Sequence, residues 1–174
     1  MLTHYSGIFD NNEIDRIISL GEQAGLFDAM VLLKGKEVVH HPKRNTMISW
    51  IQPTEFTTWL FYKATKVFGS YPIETLQAFQ YSVYEKGGHY KWHRDVDLKC
   101  EDVVGKRICS AVLQLSDPED YRGGILKVDH ELNKEIIEVE KEKGMISVFP
   151  ANWKHTVTPV LEGTRKTLVM WGLK

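Results

Sequence analysis

His93 and Asp95 stand two residues apart in GGHYKWHRDVD, residues 87–97. On an extended backbone the side chains of residues i and i+2 leave the same face, so this pair can aim an imidazole and a carboxylate at one point while Arg94 faces away. One more imidazole would complete a 2-His-1-carboxylate set, which suits Fe(II) because it occupies one face of an octahedron and leaves three positions open for substrate and O2. The letters HRD also begin a protein-kinase catalytic loop, which needs Asn five residues after its Asp, a GxGxxG loop and DFG. Here Cys100 stands at that position, neither of the other motifs occurs, and 174 residues are too few for two kinase lobes. Kinase chemistry is excluded.

A third ligand must come from elsewhere in the chain. Histidines occur at positions 4, 40, 41, 89, 93, 130 and 155. His4 is near a terminus, His40 and His41 sit beside Pro42 and Lys43 in what reads as a solvated loop, His89 adjoins a Gly pair, and His130 falls in the polar turn DHELNK. His155 follows SVFPANWK and opens the strand HTVTPV, which makes it either a structural histidine or the missing ligand. HTVTPVLEGTR then turns at Leu161-Glu162-Gly163, which predicts Arg165 on the neighbouring antiparallel strand, close to His155. Alternation along that strand places Arg165, Thr167, Val169 and Trp171 on one face. An arginine among Val and Trp is costly to bury unless it meets an anion, and its planar fork suits a carboxylate. That carboxylate is either an internal Asp or Glu or part of a ligand.

The elements that must position these residues divide the chain in two. Asp10 or Asn11 can cap a helix with Ile14, Ile17, Ile18 and Gly21 on one face, ending near Gly25. After strands around GKEVVHHPKRNTMISWI, Pro53 and Thr54 open a second helix to Gly69, with Phe56, Trp59, Leu60, Lys63 and Val67 as its buried stripe. From residue 74 the chain is short β-branched or aromatic runs separated by Gly, Pro, Asp and Asn: ETLQAFQYSVY, KRICSAVLQLS, GGILKVD, KEIIEVE, GMISVFP, HTVTPV and TRKTLVMWGL. The expected fold is α+β and mainly β, a sandwich or jelly roll with the N-terminal helices packed on one sheet. A chain of this length with 43% hydrophobic residues predicts a single domain over residues 1–174, with 1–73 as helical support and substrate loops and 74–174 as the jelly-roll core.

Twenty-two basic and 23 acidic residues give a net charge of -1, so no overall field attracts nucleic acid or an anionic membrane. No apolar run of about 18 residues and no leader pattern is present. Cys100 and Cys109 form no CxxC or disulfide framework, with Cys109 reading as a small core residue. These features predict a cytoplasmic protein.

With His93, Asp95, His155 and Arg165 in place, the chain resembles the Fe(II)/2-oxoglutarate-dependent dioxygenases, and within them the prolyl 4-hydroxylase-like and PKHD-type hydroxylases. The resemblance runs through YSVYEKGGHYKWHRDVD, LSDPEDYRGGILKV and FPANWKHTVTPVLEGTRKTLVMW, most of residues 76–172, and more weakly through residues 1–73. It implies a double-stranded β-helix with Fe(II) held by His93, Asp95 and His155, and 2-oxoglutarate anchored through its 5-carboxylate by Arg165 with help from Tyr84. Tyr90 and Arg107 match positions that face substrate in related hydroxylases. Gln114 stands where some relatives carry a second 2-oxoglutarate-binding tyrosine. Val112, Leu126, Val169 and Trp171 would wall the pocket.

The implied reaction consumes O2 and 2-oxoglutarate, releases succinate and CO2, and hydroxylates an unactivated C–H, with ascorbate as a compatible reductant. The foremost substrate is a prolyl or other residue of a protein or peptide, over which the segment from Leu32 to Asn45 could close, the enzyme acting as a monomer or homodimer. Hydroxylation of a free amino acid or another small molecule is the alternative. AlkB-type nucleic-acid demethylation fits poorly, because the second arginine expected six residues after Arg165 is Trp171. A non-catalytic jelly-roll binding module would have no need of all four site residues.

Overall fold

A computed structural model describes residues 1–29, 31–33, 36–38, 42–99, 102–130 and 133–174. His40, His41 and Cys100 lie outside the described residues, as do the side chains of 31–41, so the expected closing role of the Leu32–Asn45 segment falls largely outside them too.

Alternation within three long central strands builds the molecule. Phe79–Tyr84 is buried at all six positions, because both faces of the strand are covered. Phe79, Tyr81 and Val83 point to one side, together with Cys109, Ala111 and Leu113 of Arg107–Gln114 and Leu168 and Met170 of Arg165–Leu173. Helix α1 (Asn11–Gln23) and helix α2 (Thr58–Thr65) pack onto this apolar face through Ile14, Ile17, Leu60 and Ala64. The opposite face of the same strands carries Gln80, Ser82, Ser110, Gln114, Arg165 and Thr167, all buried. A polar inner face is costly in an ordinary sandwich and marks the interior as a place where ligand groups are expected.

These strands belong to an eight-stranded sheet ordered Thr3–Tyr5, Ile146–Pro150, Arg107–Gln114, Arg165–Leu173, Phe79–Tyr84, Met47–Ile51 and Phe27–Asp28, with Thr75–Leu76 paired to Arg165–Leu173 off that path. A second, five-stranded sheet runs Glu135–Glu138, Leu126–His130, His155–Val157, His89–His93 and Arg44–Asn45. Tyr84, Val112, Leu126, Val128, Phe149 and Val157 form the apolar cluster between the two. The mainly β fold with helices on one sheet is as the sequence predicts. Among the described residues, no helix is long and apolar enough to cross a membrane.

Asp10 caps α1 through a reciprocal box: the Glu13 amide donates to Asp10 Oδ1 at 2.9 Å and the Asp10 amide to Glu13 Oε2 at 3.0 Å. Gly21 faces the sheet, where an added Cβ would sit 2.2 Å from Tyr81 Cγ. Since both helix and ring are held by the core, Gly21→Ala should destabilise the protein by about 1–3 kcal/mol through overpacking, read as a lower urea midpoint at unchanged m. A midpoint at or above wild type would contradict this packing.

Helix α2 starts four residues later than the sequence predicts. The Thr57 hydroxyl donates to the Gln52 carbonyl at 2.7 Å and accepts from the Thr54 amide at 2.8 Å, holding residues 52–57 as a turn. Phe56 therefore lies on that turn, 71% exposed, while Leu60 and Val67 are buried as expected and Ala64 and Phe68 complete the stripe. Lys63 reaches back to Glu13 at 2.6 Å, tying the two helices together.

The expected hairpin from His155 to Arg165 is also corrected. Pro159 cannot donate to a ladder, and beyond it Val160–Gly163 pairs with Tyr121–Gly123 rather than returning along His155–Val157. Arg165 then enters the large sheet opposite Tyr84. His155 and Arg165 thus approach the interior from different sheets.

Candidate metal centre and ligand chamber

His155 and His93 are direct partners in the register of the small sheet. Asp95 follows the strand His89–His93, its amide donating to the Ala151 carbonyl at 3.0 Å. One ligand atom from each of these residues lies within 4.8 Å of the other two, an arrangement that could hold a metal ion. His93 Nε2 is 3.6 Å from Asp95 Oδ1, and His155 Nε2 is 3.5 Å from Asp95 Oδ2.

Local hydrogen bonds choose which nitrogen each imidazole offers. His93 Nδ1 donates to the Lys91 carbonyl at 2.8 Å and His155 Nδ1 to the Trp153 carbonyl at 3.1 Å, each two residues back in the chain. Both Nε2 lone pairs are left facing Asp95. The Ser110 hydroxyl donates to Asp95 Oδ2 at 2.6 Å, and Arg107 Nη1 donates to the Asp95 carbonyl at 3.1 Å.

Burial and mutual charge shift all three groups. Burial, aided by the neighbouring His155, pushes the His93 pKa down to about 4. Burial also opposes charge on Asp95, yet the two imidazoles outweigh it and hold its carboxyl well below the usual range. At His155 burial is outweighed by the Asp95 carboxylate, which raises the imidazole pKa. Two imidazole nitrogens and one hard oxygen, with Cys109 turned to the helical face, are a donor set that fits Fe(II). Ser110→Ala should weaken metal binding about 10- to 100-fold by releasing one Asp95 oxygen, measured by metal titration. Unchanged affinity would mean that Ser110 does not orient the carboxylate.

The cluster opens on a chamber of about 330 Å³. Arg165, only 1% exposed, reaches into it from the large sheet beside the buried Tyr121 hydroxyl, with Nε and Nη2 in no well-formed hydrogen bond. Its guanidinium carbon lies 5.2 Å from the Tyr84 ring, and Gly124 leaves room for its stem, since an added Cβ there would come within 3.0 Å of Arg165 Cδ. No ion pair to Arg165 is formed by any carboxylate among the described residues, which removes the internal-partner reading left open by the sequence. Thr167 Oγ1 and Gln114 Oε1, opposite each other in the sheet, are likewise buried and unpartnered.

The other sequence-predicted residues gather in the same place. Tyr84, Tyr90, Arg107, Val112, Leu126 and Trp171 line the chamber, as does Val169. Tyr90 stacks on His93 with ring centroids 3.4 Å apart, and the Arg107 guanidinium lies 3.8 Å from the Trp171 ring. Arg94 is exposed and lines a different surface depression. His4 bonds to Ser147 and His89 to the Gly87 and Pro42 carbonyls, away from the centre. Sequence reasoning missed Ser110, Arg44, Ile48 and Trp50, although the last three share one parity in KRNTMISWI and could have been read as an inward face.

A family model described as the 2OG-Fe(II) oxygenase superfamily matches residues 79–172, more than half of the chain. The chain belongs to this superfamily. It is 26% identical over 179 residues to a PKHD-type hydroxylase of Pseudomonas putida, covering 98% of this chain and 77% of that protein. A PKHD-type hydroxylase of Hyphomonas neptunium is 34% identical over 95 residues, 53% of this chain and 41% of the relative, so the matched region spans less than half of that protein's length. Among solved structures, a Trichoplax adhaerens prolyl hydroxylase in complex with a hypoxia inducible factor oxygen degradation domain peptide fragment superposes with a TM-score of 0.78 at 16% identity, covering 99% of this chain and 83% of that one. The protein is thus a 2OG-Fe(II) oxygenase similar to the PKHD-type hydroxylases, and the superfamily's Fe(II), 2-oxoglutarate and O2 are its cofactors.

Proposed function

We propose that this dioxygenase hydroxylates an unactivated C–H of a protein or peptide residue, proline foremost, with succinate and CO2 as co-products. His93, Asp95 and His155 would hold the iron, and Arg165 with Tyr84 would receive the 5-carboxylate of 2-oxoglutarate. The observation that carries this reading is the buried, unpartnered Arg165 opening into the same chamber as the His-Asp-His cluster.

When bound, the iron and 2-oxoglutarate supply oxidative chemistry that no side chain can, coupling loss of CO2 from the oxoacid to insertion of one oxygen atom into a C–H bond. The chain's own residues bind, orient and shield. The Lys91 and Trp153 carbonyls fix both imidazoles with Nε2 inward, and Ser110 steadies the Asp95 carboxylate. Arg165 offers Nε and Nη2, the side-on pair of its fork, to a carboxylate. Val112 and Leu126 keep the chamber wall apolar, while Tyr90 and Arg107 frame the side on which substrate would enter. No general base is required of the protein.

A peptide substrate is supported by the likeness of the fold to a prolyl hydroxylase solved with a peptide fragment. Purified protein given Fe(II), 2-oxoglutarate, ascorbate and proline-containing peptides should yield succinate and a peptide heavier by one oxygen atom. If 2-oxoglutarate is turned over but no peptide gains oxygen, the substrate class is wrong.

A further inference from the structure

Arg44 is the second arginine of the chamber that meets no carboxylate. It is 8% exposed, lines the chamber, and has its Nε buried without a hydrogen-bond partner. Its guanidinium carbon lies 4.6 Å from the centre of the Tyr90 ring, and Tyr90 in turn stacks on His93. Among the described residues no Asp or Glu pairs with it. Arg107 differs: its Nε donates to Gln77 Oε1 and its Nη1 to the Asp95 carbonyl, so two of its three nitrogens are engaged by the protein.

A cation over one aromatic face recovers only part of what burial of a guanidinium costs, and the buried Nε is left to be met by an acceptor from a ligand, best by an anion. Arg165 is suited to the co-substrate by its place on the large sheet. Arg44 enters from the edge strand of the small sheet, stacked on the face of Tyr90, which itself covers His93. A group bound there lies one aromatic layer from the metal cluster. We propose that Arg44 binds a carboxylate of the substrate, so that the carbon oxidised belongs to a molecule carrying an anionic group within about one residue of it. This rests on the hydroxylase reading above and narrows its substrate class to acids. The carboxylate could belong to a small acid such as a free amino acid, or to an acidic residue or C-terminus of a peptide.

The test compares acids with their neutral isosteres in binding. Protein loaded with Fe(II) and 2-oxoglutarate without O2 is titrated with two pairs: N-acetyl-proline against its amide, and a blocked peptide with Pro-Glu against the same peptide with Pro-Gln. Binding is followed by the fluorescence of Trp50 and Trp171, which line the chamber. In at least one pair the acid should bind about 30-fold or more tightly than the neutral member, as expected for a desolvated charge pair. Arg44→Gln should erase that difference while leaving affinity for the neutral member in place, and Arg44→Lys should retain much of it. Preference in the first pair identifies a small acid, and preference in the second an acidic peptide.

Equal binding within both pairs by wild-type protein, including no binding by either member, overturns the proposal. So does an acid preference that survives in Arg44→Gln. Succinate formation by the wild-type protein in O2 is measured alongside. Its absence would overturn the hydroxylase reading separately, whereas turnover with no acid preference would sink the Arg44 assignment alone.

Discussion

Arg165→Met should weaken 2-oxoglutarate binding at least about 30-fold while leaving the ligand-free fold as stable as wild type or more so. The two effects have one cause. The guanidinium is 1% exposed, with Nε and Nη2 lacking partners, so in the ligand-free protein it bears a desolvation cost that no internal carboxylate offsets. Methionine fills similar space without charge, which removes that cost. With 2-oxoglutarate present the balance should reverse, because the fork and a carboxylate would form a paired, water-excluded contact whose truncation costs about 2–5 kcal/mol, roughly 30- to 5,000-fold in affinity. Thermal unfolding checks both halves at once. Wild-type protein should gain about 2.7 kcal/mol of stability at a ligand concentration 100 times Kd, and the variant about 0.9 kcal/mol or less at that concentration. A variant that keeps wild-type affinity would show that the co-substrate lies elsewhere.

Asp95→Ala should lower succinate formation by more than about 100-fold, with the far-ultraviolet spectrum and two-sheet packing unchanged. Altering a residue that merely orients a ligand commonly costs 10- to 100-fold in metal affinity or activity, and loss of the only carboxylate in the cluster should exceed that. Asp95 lies past the end of the strand His89–His93, and its buried carboxylate meets Ser110 and the two imidazoles rather than the apolar core. His93→Ala should act in the same direction, though Tyr90 would lose the ring on which it stacks. Wild-type turnover in both variants would place the metal elsewhere.

Much of this centre is legible in the sequence because its chemistry is compressed into short periods. His93 and Asp95 are two residues apart, and Arg165, Thr167, Val169 and Trp171 share one parity on one strand. Local geometry alone fixes such relations. Sheet membership is different: the turn at Leu161–Gly163 reads as a hairpin, but Pro159 and the competing partner Tyr121–Gly123 send Arg165 into the opposite sheet. That outcome depends on a pairing about 40 residues away in the chain, which no local pattern reports. Phe56 fails for a similar reason, because the Thr57 hydroxyl delays the helix that would have buried it. Ser110 carries no signal beyond alternation in RICSAVLQ, and its role emerges only once Asp95 folds over it.

The division of labour between the sheets has a mechanical consequence. Both imidazoles stand on the five-stranded sheet and Arg165, the proposed carboxylate anchor, on the eight-stranded one. A metal with its chelated oxoacid would therefore act as a rivet through the sandwich, resisting sliding of one sheet over the other. Amide hydrogen exchange in His89–His93 and His155–Val157 should slow when both cofactors are present and change little with either alone.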